Sequence, residues 1–153
     1  MTNEIIKGIS KLLDDNFNVD NTSYDIYCDR IQQGLKNSSC FFIKLLNSLD
    51  KAVLNDRRYR EYDFVIQFIP NDDGDNFNLN NIAETLFSCM KLIPITSNNT
   101  TRYIHSFNMH YEIVDNILMF YTTFKFYTRD SDDNNDVVKM NVIEYDNFTI
   151  NER

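Results

Sequence analysis

The chain has 153 residues, 42% of them hydrophobic, and 23 acidic against 15 basic side chains give it a net charge of -8. That length builds one domain with a real core, whereas the negative balance excludes a protein that wraps the phosphate backbone, which needs a contiguous surplus of Lys and Arg. Three cysteines, Cys28, Cys40 and Cys89, form no C-x-x-C pair, which excludes a disulfide framework and a zinc site and fits a reducing compartment.

Ile5, Ile6, Ile9, Leu12 and Leu13 recur at helical spacing, so an amphipathic helix is expected over Asn3–Asn16, capped by Thr2 or Asn3. Gly8 lies in its interior at a cost of ~1 kcal/mol relative to Ala, explained by close approach of another backbone or by simple tolerance. Glu4, Asp14 and Asp15 interrupt any apolar run in the first 17 residues, so neither a signal peptide nor a membrane span is expected there, and the protein reads as soluble and made in the cytosol. Tyr24–Cys28 reads as a short strand and Gln32-Gln33-Gly34 as a turn.

Cys40–Leu46 is nearly continuous apolar sequence, the signature of a strand buried on both faces. Ser48–Arg57 reads as a polar connection to a second strand, Tyr59–Ile69, in which Tyr62, Phe64, Ile66 and Phe68 alternate with Glu61, Asp63 and Gln67; the two are expected to be antiparallel. The cluster Arg57-Arg58-Tyr59-Arg60 is either a solvated strand start or a docking loop for an acidic partner. Pro70 and the run Asn71–Asp75 end the strand. A second helix should follow, capped by Asn78, with Leu79, Ile82, Ala83, Leu86, Phe87 and Met90 as its apolar face and Pro94 as its stop.

After a loop over Ser97–Thr101, Tyr103–Tyr127 alternates on both sides of Asp115-Asn116, which reads as a long β-hairpin with arms of ~35 to 40 Å. The parity from Phe107 to Phe126 is expected in the core, and His110, Glu112, Tyr121, Thr123 and Lys125 outside. Asp130–Asp136 reads as an acidic linker and Val137–Tyr145 as a terminal strand or docking arm. The order of elements implies an α+β fold: an antiparallel sheet of mixed strand lengths with a long hairpin, packed on one face by two helices. Residues 1–128 form the body of one domain, and residues 129–153 add the linker and arm.

No catalytic constellation emerges. His105 and His110, five apart on a strand, are expected on opposite faces and so cannot share a metal. Three glycines leave little for a phosphate-cradling loop, and no nucleophile elbow, P-loop or dinucleotide fingerprint occurs. Asp130, Asp132, Asn134 and Asp136 imitate the start of a calcium loop, but Asn135 stands where Gly is required and Asn141 where a bidentate Glu belongs. No enzyme, cofactor or metal is expected, which leaves a structural or interaction protein.

Several segments in order, Glu4–Leu13, Gln33–Lys36 with Cys40–Leu46, Arg57–Arg60 with Tyr62–Ile66, and Met109–Phe120, resemble the phage tail terminator family of Gram-positive bacteriophages and phage-tail-like bacteriocins. The resemblance covers roughly residues 3 to 128. It implies a sixfold homo-oligomeric ring that caps the head-proximal end of the tail tube, stops tube and sheath growth and offers the neck joining surface. Implied partners are the tube protein, the sheath protein of a contractile tail and, in a complete phage, the head-tail connector. DNA can pass through the lumen, with no specific nucleic acid bound and no membrane. The location implied is the virion or tail-like particle, assembled in the host cytoplasm. For docking on tube or sheath, Lys51, Arg57, Arg58 and Arg60 are the candidates; for the contact between ring subunits, Tyr121, Thr123 and Lys125. A different neck component, such as a head-tail joining or tail completion protein, fits the same features, and a small regulatory or ligand-binding α+β domain is a third reading.

Overall fold

The computed structural model describes residues 1–28, 39–71 and 76–129. The turn expected at Gln32–Gly34, the Asp72–Asp75 run and everything beyond Arg129 lie outside the described residues. In chain order the elements are α1 (Thr2–Phe17), β1 (Asp25–Cys28), β2 (Cys40–Leu54), β3 (Arg57–Ile69), α2 (Asn76–Cys89), β4 (Leu92–Ser97), β5 (Thr100–Val114) and β6 (Ile117–Arg129). The strands form one sheet in the order β1-β2-β3-β6-β5-β4, curled into a half-barrel, so the fold is α+β and mostly sheet. Among the described residues no helix is long and apolar enough to cross a membrane.

The sheet is mixed rather than purely antiparallel, because β1 pairs with β2 in parallel from Asp25 beside Cys40 to Cys28 beside Ile43. The supposed polar connection at Ser48–Arg57 is strand instead. β2 continues to Leu54 and turns at Asn55–Asp56 directly into β3; polarity misled there because all residues from Leu46 to Leu54 are exposed, so no apolar face marks the strand. Nor does Pro94 end a helix. α2 stops at Cys89, and Pro94 sits in β4 at the flank of the sheet, where a missing ladder donor is tolerated.

The core joins α1 (Ile5, Ile9, Leu13, Phe17) and α2 (Leu79, Ile82, Ala83, Leu86) to one parity of the central strands: Phe41 and Ile43 of β2, Tyr62, Phe64, Ile66 and Phe68 of β3, and Leu118, Phe120 and Phe124 of β6. Rings mesh across it, Phe17 with Phe41 at 4.8 Å and Phe87 with Phe120 at 5.1 Å between centroids. Ring pairs of this geometry add to the hydrophobic gain from burial. Of the three cysteines, Cys40 is buried, Cys89 is intermediate and Cys28 is exposed.

α1 begins at Thr2 with Met1 as N-cap and no side-chain cap, so neither Thr2 nor Asn3 caps it; the Met1 amine instead pairs with Glu4 at 3.1 Å. Asn78 lies inside α2, which starts at Asn76. Asn18 closes α1: its Nδ2 donates to Asp14 Oδ1 at 2.7 Å, and its Oδ1 accepts the Tyr24 N–H at 2.6 Å, tying the helix end to the start of β1.

Two details decide orientation. Asn108 adopts a left-handed φ of 52°, and β5 carries one extra residue between Phe107 and His110 against β6, a β-bulge. The bulge reverses side-chain parity, so Tyr111 and Ile113 face Phe120 and Leu118 whereas Phe107 pairs beside Thr123 and is 44% exposed; Phe107 is therefore outside the core. The second detail is Gly8, which abuts β4: a Cβ there would lie 2.7 Å from Ile93 Cγ2 and closer still to the Pro94 carbonyl oxygen. Because that neighbour is backbone, Gly8→Ala should destabilise the fold by about 1–3 kcal/mol despite its better helix propensity. Urea unfolding checks this, and a stability equal to or above the parent would contradict the close approach.

Candidate functional site

The β2–β3 tip places the four expected docking cations on two faces. Cross-strand partners share a face, so Arg60 beside Asp50 and Arg58 beside Ala52 stand together, while Lys51 beside Tyr59 stands on the other side. Arg58 Nε donates to Asp50 Oδ1 at 2.7 Å, and Arg60 Nε approaches Asp50 Oδ2 at 3.2 Å, close enough for an ion pair but misaligned for a hydrogen bond. All three groups are at least a quarter exposed, so Asp50 orients the arginines more than it stabilises the fold.

A groove of about 1110 Å³ opens beside this tip, and it brings Arg57 and Arg60 together with Arg102 of β5 and Arg129 of β6. No carboxylate stands in its described wall, an unusual stretch for a chain of net charge -8. Sequence reasoning missed Arg102 and Arg129 because both are isolated in their segments. Only the register reveals them: Arg129 pairs directly with Arg57 across β3 and β6. The chemistry is that of an anion-binding surface, since guanidinium forks match carboxylates in pairs.

The second candidate surface is the sheet face opposite the helices. Here Tyr121, Thr123 and Lys125 share one side of β6, and each is engaged within the chain. The Tyr121 hydroxyl donates to Glu112 Oε1 at 2.8 Å and its ring stacks on His110 at 4.8 Å. Thr123 Oγ1 donates to Asp63 Oδ1 at 2.6 Å and is 8% exposed, which leaves it little to offer a neighbour. Lys125 Nζ lies 3.9 Å from Glu61 Oε2, and that same carboxylate accepts from the Tyr59 hydroxyl at 2.7 Å. The result is a polar ladder from Tyr59 to Glu112 across β3, β6 and β5.

Charge tunes this ladder. The hydrogen bond to Glu61, followed by burial, pushes the Tyr59 hydroxyl up to about 12, and the bond to Glu112 raises Tyr121. His105 pairs beside Leu92 and His110 beside Tyr121. The bulge at Asn108 cancels the parity argument that put them on opposite faces, but five residues of strand still separate them by roughly 16 Å. Among the described residues no group of three His, Cys, Asp or Glu could hold a metal ion.

Residues 4–136 match the model of a family described as phage tail terminator protein. No curated protein matches the chain. Among solved structures, one aligns over 83% of this chain and 94% of its own length at 12% identity, with a TM-score of 0.46.

Because folding raises the Tyr59 value above the ordinary tyrosine value near 10, the hydroxyl's contribution to stability is complete below about pH 10 and is lost as pH climbs through about 12. Glu61→Gln removes the carboxylate that causes the shift. The late phenolate step in the ultraviolet titration of the folded protein should then move to lower pH, and an unchanged titration would contradict the assignment.

Proposed function

Because the chain belongs to the phage tail terminator protein family, a structural rather than an enzymatic family, we propose that it caps the head-proximal end of a tail tube as a closed ring of identical subunits and halts growth there. The family match carries this reading, and the exposed charge of the groove and the exposed strand of the β2–β3 tip support it. Six copies are proposed, with head-to-tail contacts that close by rotation. Tyr121 and Lys125 would lie at the joint between subunits, with Thr123 holding the face in shape from beneath.

The face that docks on the tube, or on the sheath of a contractile tail, is proposed to be the β2–β3 tip. Arg57, Arg58, Arg60 and Lys51 were the candidates from sequence, and the groove adds Arg102 and Arg129 to Arg57 and Arg60. A partner presenting carboxylates would find clustered guanidinium groups there, with Asp50 already beside Arg60 as the one to displace. The opposite ring face would then be the neck surface, met by a head-tail connector if the particle is a complete phage. A head-tail joining or tail completion protein shares the ring habit but would act on finished tubes without limiting their length.

Incubating purified protein with isolated tail tubes tests the docking. Imaging should show a ring on one tube end only, with no further tube subunit added there. Arg57→Glu with Arg60→Glu should weaken tube binding by at least about tenfold and flatten its loss with salt while leaving ring mass unchanged. Undiminished binding by the double variant would sink the role given to the tip.

A further inference from the structure

β5 and β6 are partners for only part of their length. They pair from Val114 beside Ile117 as far as Ser106 beside Phe124. Above that point β5 is held by β4, from His105 beside Leu92 to Thr100 beside Ser97, and β6 by β3, from Lys125 beside Glu61 to Arg129 beside Arg57. The sheet therefore forks. A cavity of about 460 Å³ lies in the fork, with Arg102, Tyr103 and Ile104 on one wall and Phe126, Tyr127 and Thr128 on the other. Arg102, Tyr127 and Thr128 also line the arginine groove, so the fork opens into it.

Peptide groups in a strand point alternately to its two sides. With one side of β5 paired to β4 and one side of β6 paired to β3, the groups on the inner sides have no strand partner among the described residues. They form two facing rows of donors and acceptors, over a depth of ~17 Å from Phe124 to Arg129. The side chains give the fork a sided chemistry. Ile104 and Phe126 are half-buried and pack on the core, whereas Tyr103 and Tyr127, one residue along on each strand, are 63% and 69% exposed. Arg129 shares the parity of Tyr127, and Arg57 stands beside it. An extended segment lying in the fork would set alternate side chains against an apolar floor and against the Arg57–Arg129 pair.

We infer that the fork takes an extended acidic segment of another protein, inserted as a strand between β5 and β6 with apolar residues toward Ile104 and Phe126 and carboxylates toward Arg57 and Arg129. Complementary charge selects the occupant. Arg57, Arg60, Arg102 and Arg129 all line the groove at the mouth of the fork, where a basic segment would be repelled. The inference deepens the docking reading and rests on it for one point, that the segment belongs to the tube.

A short peptide of alternating Val and Glu is the probe, added to the full-length protein and followed by hydrogen exchange read by mass spectrometry. Amides of Thr100–His105 and Lys125–Arg129 should exchange roughly tenfold or more slower with the peptide than without it, and a peptide with Lys in place of each Glu should leave them unchanged. Ile104→Trp, which fills the floor of the fork and leaves every arginine in place, should remove most of that protection, as should Arg57→Glu with Arg129→Glu. Unchanged exchange of the Phe64–Phe68 amides checks that both variants are folded. Equal exchange with and without the Glu peptide would overturn the insertion. Amides already slow in the parent alone and indifferent to the peptide would overturn it too, since the fork would then be filled from within the chain. Isolated tubes separate the two readings. If Ile104→Trp binds tubes as well as the parent does, the tip docks but the fork takes no strand from the tube; if the peptide protects the fork while the parent binds no tube, the fork stands and the tube reading falls.

Discussion

The unbroken pairing of β3 with β6, residue for residue from Arg57 beside Arg129 to Phe68 beside Leu118, is the constraint on which the remaining structure depends. β2 on one side and β5 on the other each carry register irregularities; this pair carries none. It aligns Phe64, Ile66 and Phe68 with Phe120 and Leu118 as one apolar surface, and because strand side chains alternate, the same register lines up Tyr59, Glu61 and Asp63 with Lys125 and Thr123 on the reverse. A slip of one residue would bury the polar ladder and expose the aromatic one. The register also brings Arg57 and Arg129 together, so core, outer face and anion groove rest on one pairing.

The described hairpin turns between these long strands are made without glycine. Only three glycines occur in the chain, yet the turns need left-handed residues, and the described non-glycine residues with positive φ are all Asn or Asp: Asp20, Asn21, Asn55, Asn98, Asn99, Asn108, Asp115 and Asn116. Asn98-Asn99 and Asp115-Asn116 have both central residues in that region, the backbone of a type I′ turn, which suits the right-handed twist of flanking strands. Asn and Asp tolerate this conformation because their short polar side chains hydrogen-bond locally. Asparagine thus has a structural use at every tight hairpin described and at the bulge that turns Phe107 outward.

Legibility followed burial. Where one parity is buried, as from Tyr62 to Phe68 and from Leu118 to Phe124, alternation identified the strands and the core. Where a strand is exposed on both faces, as from Leu46 to Leu54, the same physics left no alternation to read, and a strand passed for a connection. β4 was hidden by Pro94, whose tolerance at the sheet flank depends on topology that a local reading does not contain. The candidate site divided in the same way. The Arg57–Arg60 cluster is visible as a charge run, whereas Arg102 and Arg129 reach it through folding alone, and the bond from Thr123 to Asp63, sixty residues away, has no sequence signal.

In the role proposed here, the protein would present one surface to a growing polymer and a different one to the far side, by means of docking charges and exposed strands. The most direct measurement is the tube length of tails assembled in the absence of this protein, compared by electron microscopy with tails assembled in its presence. Tubes of extended and variable length are the result the account requires; tubes of normal, uniform length that merely lack heads would contradict it and assign the protein to joining instead.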